Sequence, residues 1–311
     1  MHAVTMSPPE LESYRGELLA YCYRMLGSVH EAEDLVQETY LRAWRSRDAF
    51  QGRASVRTYL YRIATNVCLT ALRQRARRAM PSDLSAPDQQ WLQPIPDALL
   101  SAGADPADLI GARSGIRLAF IAALQHLPPI RRAALILRDV LSWPAAEVAE
   151  ALDSTPAAVN SALLRARAQI AQIAPIVDNV VEPTEPHRRA LLDRYVAAFA
   201  SADIASLVRL LRADIAVEMP PEPQWLRGRE AVGQFFADHV LSISGEFRMV
   251  ATMANGQPAF VAYQRAQDGI YRPHAVHVLA LDTSAVAHIA VFREPTTCSL
   301  FPRSNPRSSM T

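Results

Sequence analysis

Apolar residues recur at helical spacing from the beginning of the chain. Leu11, Tyr14, Leu18, Cys22 and Met25 define one amphipathic helix, which Gly27 and Ser28 close. A second helix is predicted from about His30 to Arg47, with Ala32, Leu35, Val36, Tyr40, Ala43 and Trp44 on one face. Its carboxylates Glu31, Glu33, Asp34 and Glu38 fall in the first half, where they complement the positive end of the helix dipole. After the turn-like Phe50-Gln51-Gly52, a third helix turns Leu60, Ile63, Ala64, Val67 and Ala71 inward. It continues into Arg73, Arg75, Arg77 and Arg78.

The periodicity fades from Met80 to about Ala112, where Pro81, Pro87, Pro94, Pro96 and Pro106 mark a linker. Within it, Trp91-Leu92-Gln93-Pro94-Ile95-Pro96-Asp97 is too apolar for a spacer and is expected to dock on a groove or surface. Ile116, Phe120, Ala123, Leu124 and Leu127 restart the helical pattern, which stops at Pro128-Pro129. Another helix carries Ile130, Ala133, Ala134, Leu137 and Leu141.

Next come a short helix from about Pro144 to Leu152, a turn at Asp153-Ser154, and a helix opened by Thr155-Pro156, a natural N-cap followed by a first-turn proline. This is a helix-turn-helix pattern. Val148, Ala149 and Leu152 would pack on Val159, Leu163 and Ala166, leaving Asn160, Ser161, Leu164, Arg165 and Arg167 outside.

A second break runs from Pro175 to Pro186. Helices are then predicted at His187 to Ala200 and Ile204 to Leu211, a strand at Ile215 to Met219, a turn at Trp225 to Gly228, and a helix from Glu230 to about Leu241. Phe247–Met253, Ala259–Arg265, His274–Leu281 and Ala285–Phe292 read as strands of an antiparallel meander, giving an α+β domain. The Ser-, Pro- and Arg-rich tail from Pro295 is expected to be disordered.

Length agrees with several domains, because 311 residues exceed what one core usually organises. No apolar run approaches the roughly 18 residues of a membrane span. Met1 to Pro9 lacks the pattern of a secretory or transit signal, so a cytoplasmic location is expected. Cys22, Cys68 and Cys298 are single, without metal-ligand spacing, and are expected to be buried reduced thiols. The net charge of +1 hides segregation: from Arg62 to Arg78 there is no carboxylate, which makes a surface suited to phosphates.

The first helical block resembles the sigma-two domain of the extracytoplasmic-function sigma factors. Glu31-Ala32-Glu33-Asp34-Leu35-Val36-Gln37-Glu38-Thr39-Tyr40, Ala43-Trp44 and Arg57-Thr58-Tyr59-Leu60-Tyr61-Arg62-Ile63-Ala64-Thr65-Asn66 carry the likeness. It implies that Asp34, Leu35, Gln37, Glu38, Tyr40 and Trp44 dock on the β′ clamp helices of core RNA polymerase. It also implies that Phe50, Tyr59, Arg62, Asn66, Arg73 and Arg77 handle the melted minus-ten element. An extruded base is held by stacking and edge hydrogen bonds, which an aromatic ring and an amide supply.

The block from about Ser114 to Ile173 resembles the sigma-four domain through Leu127-Pro128-Pro129-Ile130-Arg131-Arg132 and Ser161-Ala162-Leu163-Leu164-Arg165-Ala166-Arg167. That likeness implies contact with the β flap, and reading of the minus-thirty-five duplex by Thr155, Asn160, Ser161, Leu164, Arg165 and Arg167. Basic residues frequent in relatives are absent at Asn160 and Ala162, which leaves the base preference open. The C-terminal block resembles the SnoaL-like branch of the nuclear-transport-factor-two fold through Pro220-Pro221 and Trp225-Leu226-Arg227-Gly228-Arg229-Glu230-Ala231-Val232.

The expected architecture is therefore multidomain: two all-α sigma domains followed by an α+β cone. Residues 8–79 form sigma-two, 80–112 a linker, 113–175 sigma-four, 176–186 a second linker, 187–295 the SnoaL-like domain and 296–311 a disordered tail. The expected function is promoter recognition and transcription initiation, with the third domain regulating it through a small molecule or a regulatory protein. The competing readings are an isomerase or hydrolase using Asp193, His239, His274, His277, Asp282 or His288, and a promoter-binding repressor or activator that never enters polymerase. No two of those acid and imidazole groups adjoin in a spacing the chemistry demands, so no catalytic residue, metal or cofactor is assigned. A repressor has no need of the acidic helix around Asp34.

Overall fold

The computed structural model describes residues 8–47, 50, 55–78, 92–100, 115–173, 184–220, 222–241 and 243–301. They divide into two bodies, a helical one drawn from Met1–Leu92 and Asp97–Val177 and an α+β one drawn from Gln93–Pro96 and Asp178–Thr311.

The helical body opens with α1 (Pro8–Ser13), α2 (Arg15–Leu26), α3 (Val29–Arg45) and α4 (Val56–Arg78). Gly27 ends α2 in the left-handed region at φ 75°, returning its N–H to the Tyr23 carbonyl at 2.7 Å. Ser28 then caps α3, its Oγ accepting from the Glu31 N–H. A core of Leu18, Leu19, Met25, Val36, Leu60 and Ala64 holds α2 to α4 together. Cys22 and Cys68 are buried free thiols with sulfurs 3.7 Å apart, and Cys298 is likewise buried and free.

The same body continues with α5 (Asp97–Leu100), α6 (Leu118–Gln125), α7 (Pro129–Leu135), α8 (Ala145–Ala151) and α9 (Pro156–Ile173). The helix expected to run to Leu141 instead widens after Leu135 into a π-turn over Ile136–Val140, where the Leu141 N–H reaches the Ile136 carbonyl.

In the second body, α10 (Glu185–Ala200), α11 (Ile204–Leu210) and α12 (Arg229–His239) pack on a six-stranded sheet of order β2-β1-β6-β5-β4-β3. The strands are β1 (Leu211–Met219), β2 (Glu222–Arg227), β3 (Phe247–Ala254), β4 (Gln257–Arg265), β5 (Tyr271–Leu281) and β6 (Val286–Phe292). β3 to β6 form the expected antiparallel meander, but β1 joins β6 in parallel, so the sheet is mixed. Val217, Leu279 and Ile289 lie in one register on the helix-facing side. Above them Tyr195, Phe199, Phe236, Phe247 and Phe260 fill the space under the helices.

Two expectations need correction. The segment through Trp225 to Arg227 is a strand, not a turn, antiparallel to β1 with Trp225 opposite Glu218. Its proline punctuation misleads because β2 is an edge strand, where Pro223 costs no ladder hydrogen bond. The tail is ordered beyond its expected start at 296: Pro295–Ser299 forms α13, with Thr297, Cys298 and Phe301 buried. Three side chains removed from water there offset the polar composition that argued for disorder.

Candidate polymerase and nucleic-acid interfaces

The face of α3 proposed for polymerase is graded in exposure. Asp34 and Gln37 are exposed, and Leu35 and Glu38 are half-buried. Glu38 accepts from Arg42 Nε at 2.7 Å one turn on. Trp44 is 42% exposed, with the Arg47 guanidinium 4.4 Å from its ring centroid. Tyr40 departs from this group. Its hydroxyl is buried without a partner among the described residues, and burial raises its pKa above the usual tyrosine range, so it packs rather than presents a polar tip.

Residues 59, 62, 66, 73 and 77 fall on one face of α4, at steps of three, four, seven and four. At its start the Phe50 and Tyr59 rings lie 4.9 Å apart, and the Tyr59 hydroxyl is 2.6 Å from Ser46 Oγ at the end of α3. This fixes an aromatic shelf. Asn66 is exposed two turns further along, its backbone carbonyl accepting from the Thr70 hydroxyl. Arg73 is exposed, and Arg77 lies in the same helix with its side chain outside the described residues. Arg62 is exposed too, but its guanidinium stands 3.7 Å from Glu150 of α8. No local pattern predicts that pairing, since the two residues belong to separate motif blocks.

In the helix-turn-helix, Thr155 Oγ1 accepts the Ala158 N–H at 3.2 Å and starts α9. Val148, Ala149, Val159, Leu163 and Ala166 are buried, while Leu152 is half-buried. Asn160, Leu164, Arg165 and Arg167 face outward with Thr155, and Ser161 is half-buried. Leu164 is 72% exposed, an apolar side chain available to a thymine methyl. Arg165 is steadied by Ser161 Oγ at 2.6 Å. Arg167 makes a two-pronged bond to Asp139, at 2.8 and 2.6 Å, which raises its pKa. Asp139 sits in the π-turn, an irregularity that apolar periodicity does not reveal.

The groups that could have served catalysis in the α+β body are dispersed. Asp193 and His239 are exposed, the latter stacked on Phe235 at 5.1 Å. Asp282 accepts from the Ser284 and Ala285 N–H groups of its own turn. His288 meets Glu218 at 2.9 Å. His274 is half-buried and edge-on to Phe247 at 5.5 Å, and His277 lies in the aromatic interior, where its Nδ1 is 3.2 Å from the Tyr195 hydroxyl and Phe199 stands edge-on. Burial, with His274 nearby, drives the His277 pKa down to about 3, so the ring is neutral near neutral pH. Among the described residues no cluster of three or more His, Cys, Asp or Glu could hold a metal ion. No helix among them is long and apolar enough to cross a membrane.

A long helix whose exposed face carries an aromatic shelf, an amide and arginines, together with a helix-turn-helix, has the features of a promoter-recognising transcription initiation factor. Comparison with known proteins agrees: the Sigma-70 region 2 model matches residues 11–78, the Sigma-70 region 4 model 117–170, and the SnoaL-like domain model 192–293. The ECF RNA polymerase sigma factor SigG of Mycobacterium tuberculosis is 46% identical over 306 residues, covering 94% of this chain and 81% of that protein. SigJ of the same organism is 28% identical over 97% of this chain and 92% of its own length. The crystal structure of SigJ superimposes with a TM-score of 0.66 at 24% identity, covering 96% of this chain and all of that one, and so shares the fold. The chain belongs to the extracytoplasmic-function sigma factors of RNA polymerase, with a SnoaL-like domain at its C-terminal side.

Proposed function

We propose that this sigma factor uses α3 to dock on the β′ clamp helices, α4 to capture the minus-ten element and α9 to read the minus-thirty-five duplex, with sigma-four resting on the β flap. The observation that carries this division is the α4 face, where the Phe50–Tyr59 shelf, the exposed Asn66 and the following arginines succeed one another without an intervening carboxylate. That order suits a base flipped onto an aromatic shelf beside a phosphate track. Run-off transcription with core polymerase on a promoter library tests it. Asn66→Ala should lower open-complex formation while leaving core binding unchanged, and equal loss of both would refute the assignment.

The C-terminal domain is assigned a regulatory, non-enzymatic and cytoplasmic role. Supporting this, the linker segment Gln93–Pro96 belongs to the body of that domain, where Ile95 is fully buried and hydrogen-bonded to Asn255. A domain that grips the linker between two DNA readers can control how far they separate. Truncation near Val181 should therefore change run-off activity. Identical activity of full-length and truncated proteins across solution conditions and candidate ligands would argue against control. The aromatic filling around His277, and the dispersal of Asp193 and Asp282, favour this reading over an isomerase or hydrolase.

A further inference from the structure

The outward side of α9 carries few groups able to tell one base pair from another, and the protein itself engages most of them. Thr155 Oγ1 caps the helix by accepting the Ala158 N–H. Arg165 directs Nη2 to Ser161 Oγ at 2.6 Å and Nε to the Ser161 carbonyl at 3.3 Å. Arg167 directs the same edge, Nε and Nη2, to the Asp139 carboxylate at 2.8 and 2.6 Å. An arginine recognises guanine by laying two donors on O6 and N7. Neither Arg165 nor Arg167 presents its Nε–Nη2 edge for that purpose.

Asn160 and Leu164 differ from these. Both are exposed, Leu164 to 72%. Among the described residues no hydrogen bond engages the Asn160 amide. Four residues apart, the two side chains share one face of α9 and are separated by about 6 Å along its axis at 1.5 Å per residue. They lie in the N-terminal half of the helix, the part of a recognition helix that meets base edges. Base pairs stack every ~3.4 Å, so the two side chains face pairs about two steps apart. An amide matches the N6 donor and N7 acceptor of adenine together, and an aliphatic side chain packs on the C5-methyl of thymine.

We propose that Asn160 and Leu164 are the specificity-determining residues of α9 and select two A·T pairs about two steps apart in the minus-thirty-five element, one by the N6–N7 edge of adenine and the other by the methyl of thymine. This rests on the assignment of α9 to that duplex. The absence of a basic residue at Asn160 and Ala162 then sets a base preference instead of removing one.

The test uses holoenzyme formed from the full-length protein and core polymerase, with a library of promoter duplexes randomised in both elements. Selected duplexes should share two A·T pairs in the minus-thirty-five region. In such a duplex, 7-deazaadenine, which lacks N7, should weaken wild-type binding roughly fivefold at the Asn160 pair. Deoxyuridine, which lacks the methyl, should weaken it roughly fourfold at the Leu164 pair. Asn160→Ala should lose the first sensitivity and keep the second, and Leu164→Ala should do the reverse. Asn160→Arg should move the selected pair to G·C. A variant that retains the wild-type response to its own analogue overturns the role of that residue. The analogue series on wild-type holoenzyme needs no substitution in the protein: indifference to both analogues, or selection of G·C at both pairs, overturns the inference as a whole. Selection confined to the minus-ten region, with no preference anywhere in the minus-thirty-five region, would instead overturn the assignment of α9 to that duplex.

Discussion

Asn255 holds both backbone polar groups of Ile95: its N–H donates to the Ile95 carbonyl at 3.0 Å, and its Oδ1 accepts the Ile95 N–H, also at 3.0 Å. Both residues are fully buried, and Pro96 bridges to Ala254 beside them. Asn255 can do this because it occupies the left-handed position, φ 56°, of the Asn-Gly turn between β3 and β4, which presents both groups in one direction.

Asn255→Gly keeps the turn but removes the side-chain acceptor, leaving a buried N–H unpaired at a cost of about 1–3 kcal/mol. Amide exchange at Ile95 should accelerate while strands β4 to β6 remain protected. Unaltered exchange at Ile95 would show that the side-chain bond does not hold the linker.

Asp34→Arg places a cation on the exposed side of α3, far from its core residues. Affinity for core polymerase should fall at least tenfold with little change in thermal stability. Wild-type affinity in a binding titration would remove α3 from the polymerase interface.

Asp139→Asn weakens the fork that engages Arg167 and returns a full positive charge to the recognition helix. Duplex binding should tighten at low salt. Arg167→Ala should instead reduce the slope of log affinity against log salt by about one. Equal slopes in wild type and Arg167→Ala would exclude a phosphate contact.

The His277 pKa, held near 3 in the folded domain against about 6.5 in the unfolded chain, makes stability depend on pH. The neutral ring is favoured by folding, so its contribution is complete above pH 6.5 and declines as pH falls toward 3. At pH 5 the loss is about 2 kcal/mol by this linkage. Chemical denaturation of the wild type should show it, and His277→Gln should lessen the dependence. A wild-type profile flat from pH 7 to 5 would contradict the buried neutral imidazole.

The sequence by itself determined most of the helices, the helix-turn-helix and the strands of the meander, because each follows from local periodicity, caps and turn residues. Thr155 and Asn255-Gly256 announce their roles within four residues of chain. The motif blocks around Asp34, Asn66 and Arg165 were legible for the same reason: their side chains share faces of single helices. Tertiary structure alone decided the rest. The strand at Trp225 exists because an edge needs fewer hydrogen bonds than composition suggested, and the ordered helix after Pro295 because Cys298 and Phe301 find a surface to bury. The pairings of Ile95 with Asn255, Arg62 with Glu150 and Arg167 with Asp139 join residues 160, 88 and 28 positions apart. Such contacts depend on where two elements meet in space, and no local pattern of polar and apolar residues encodes that.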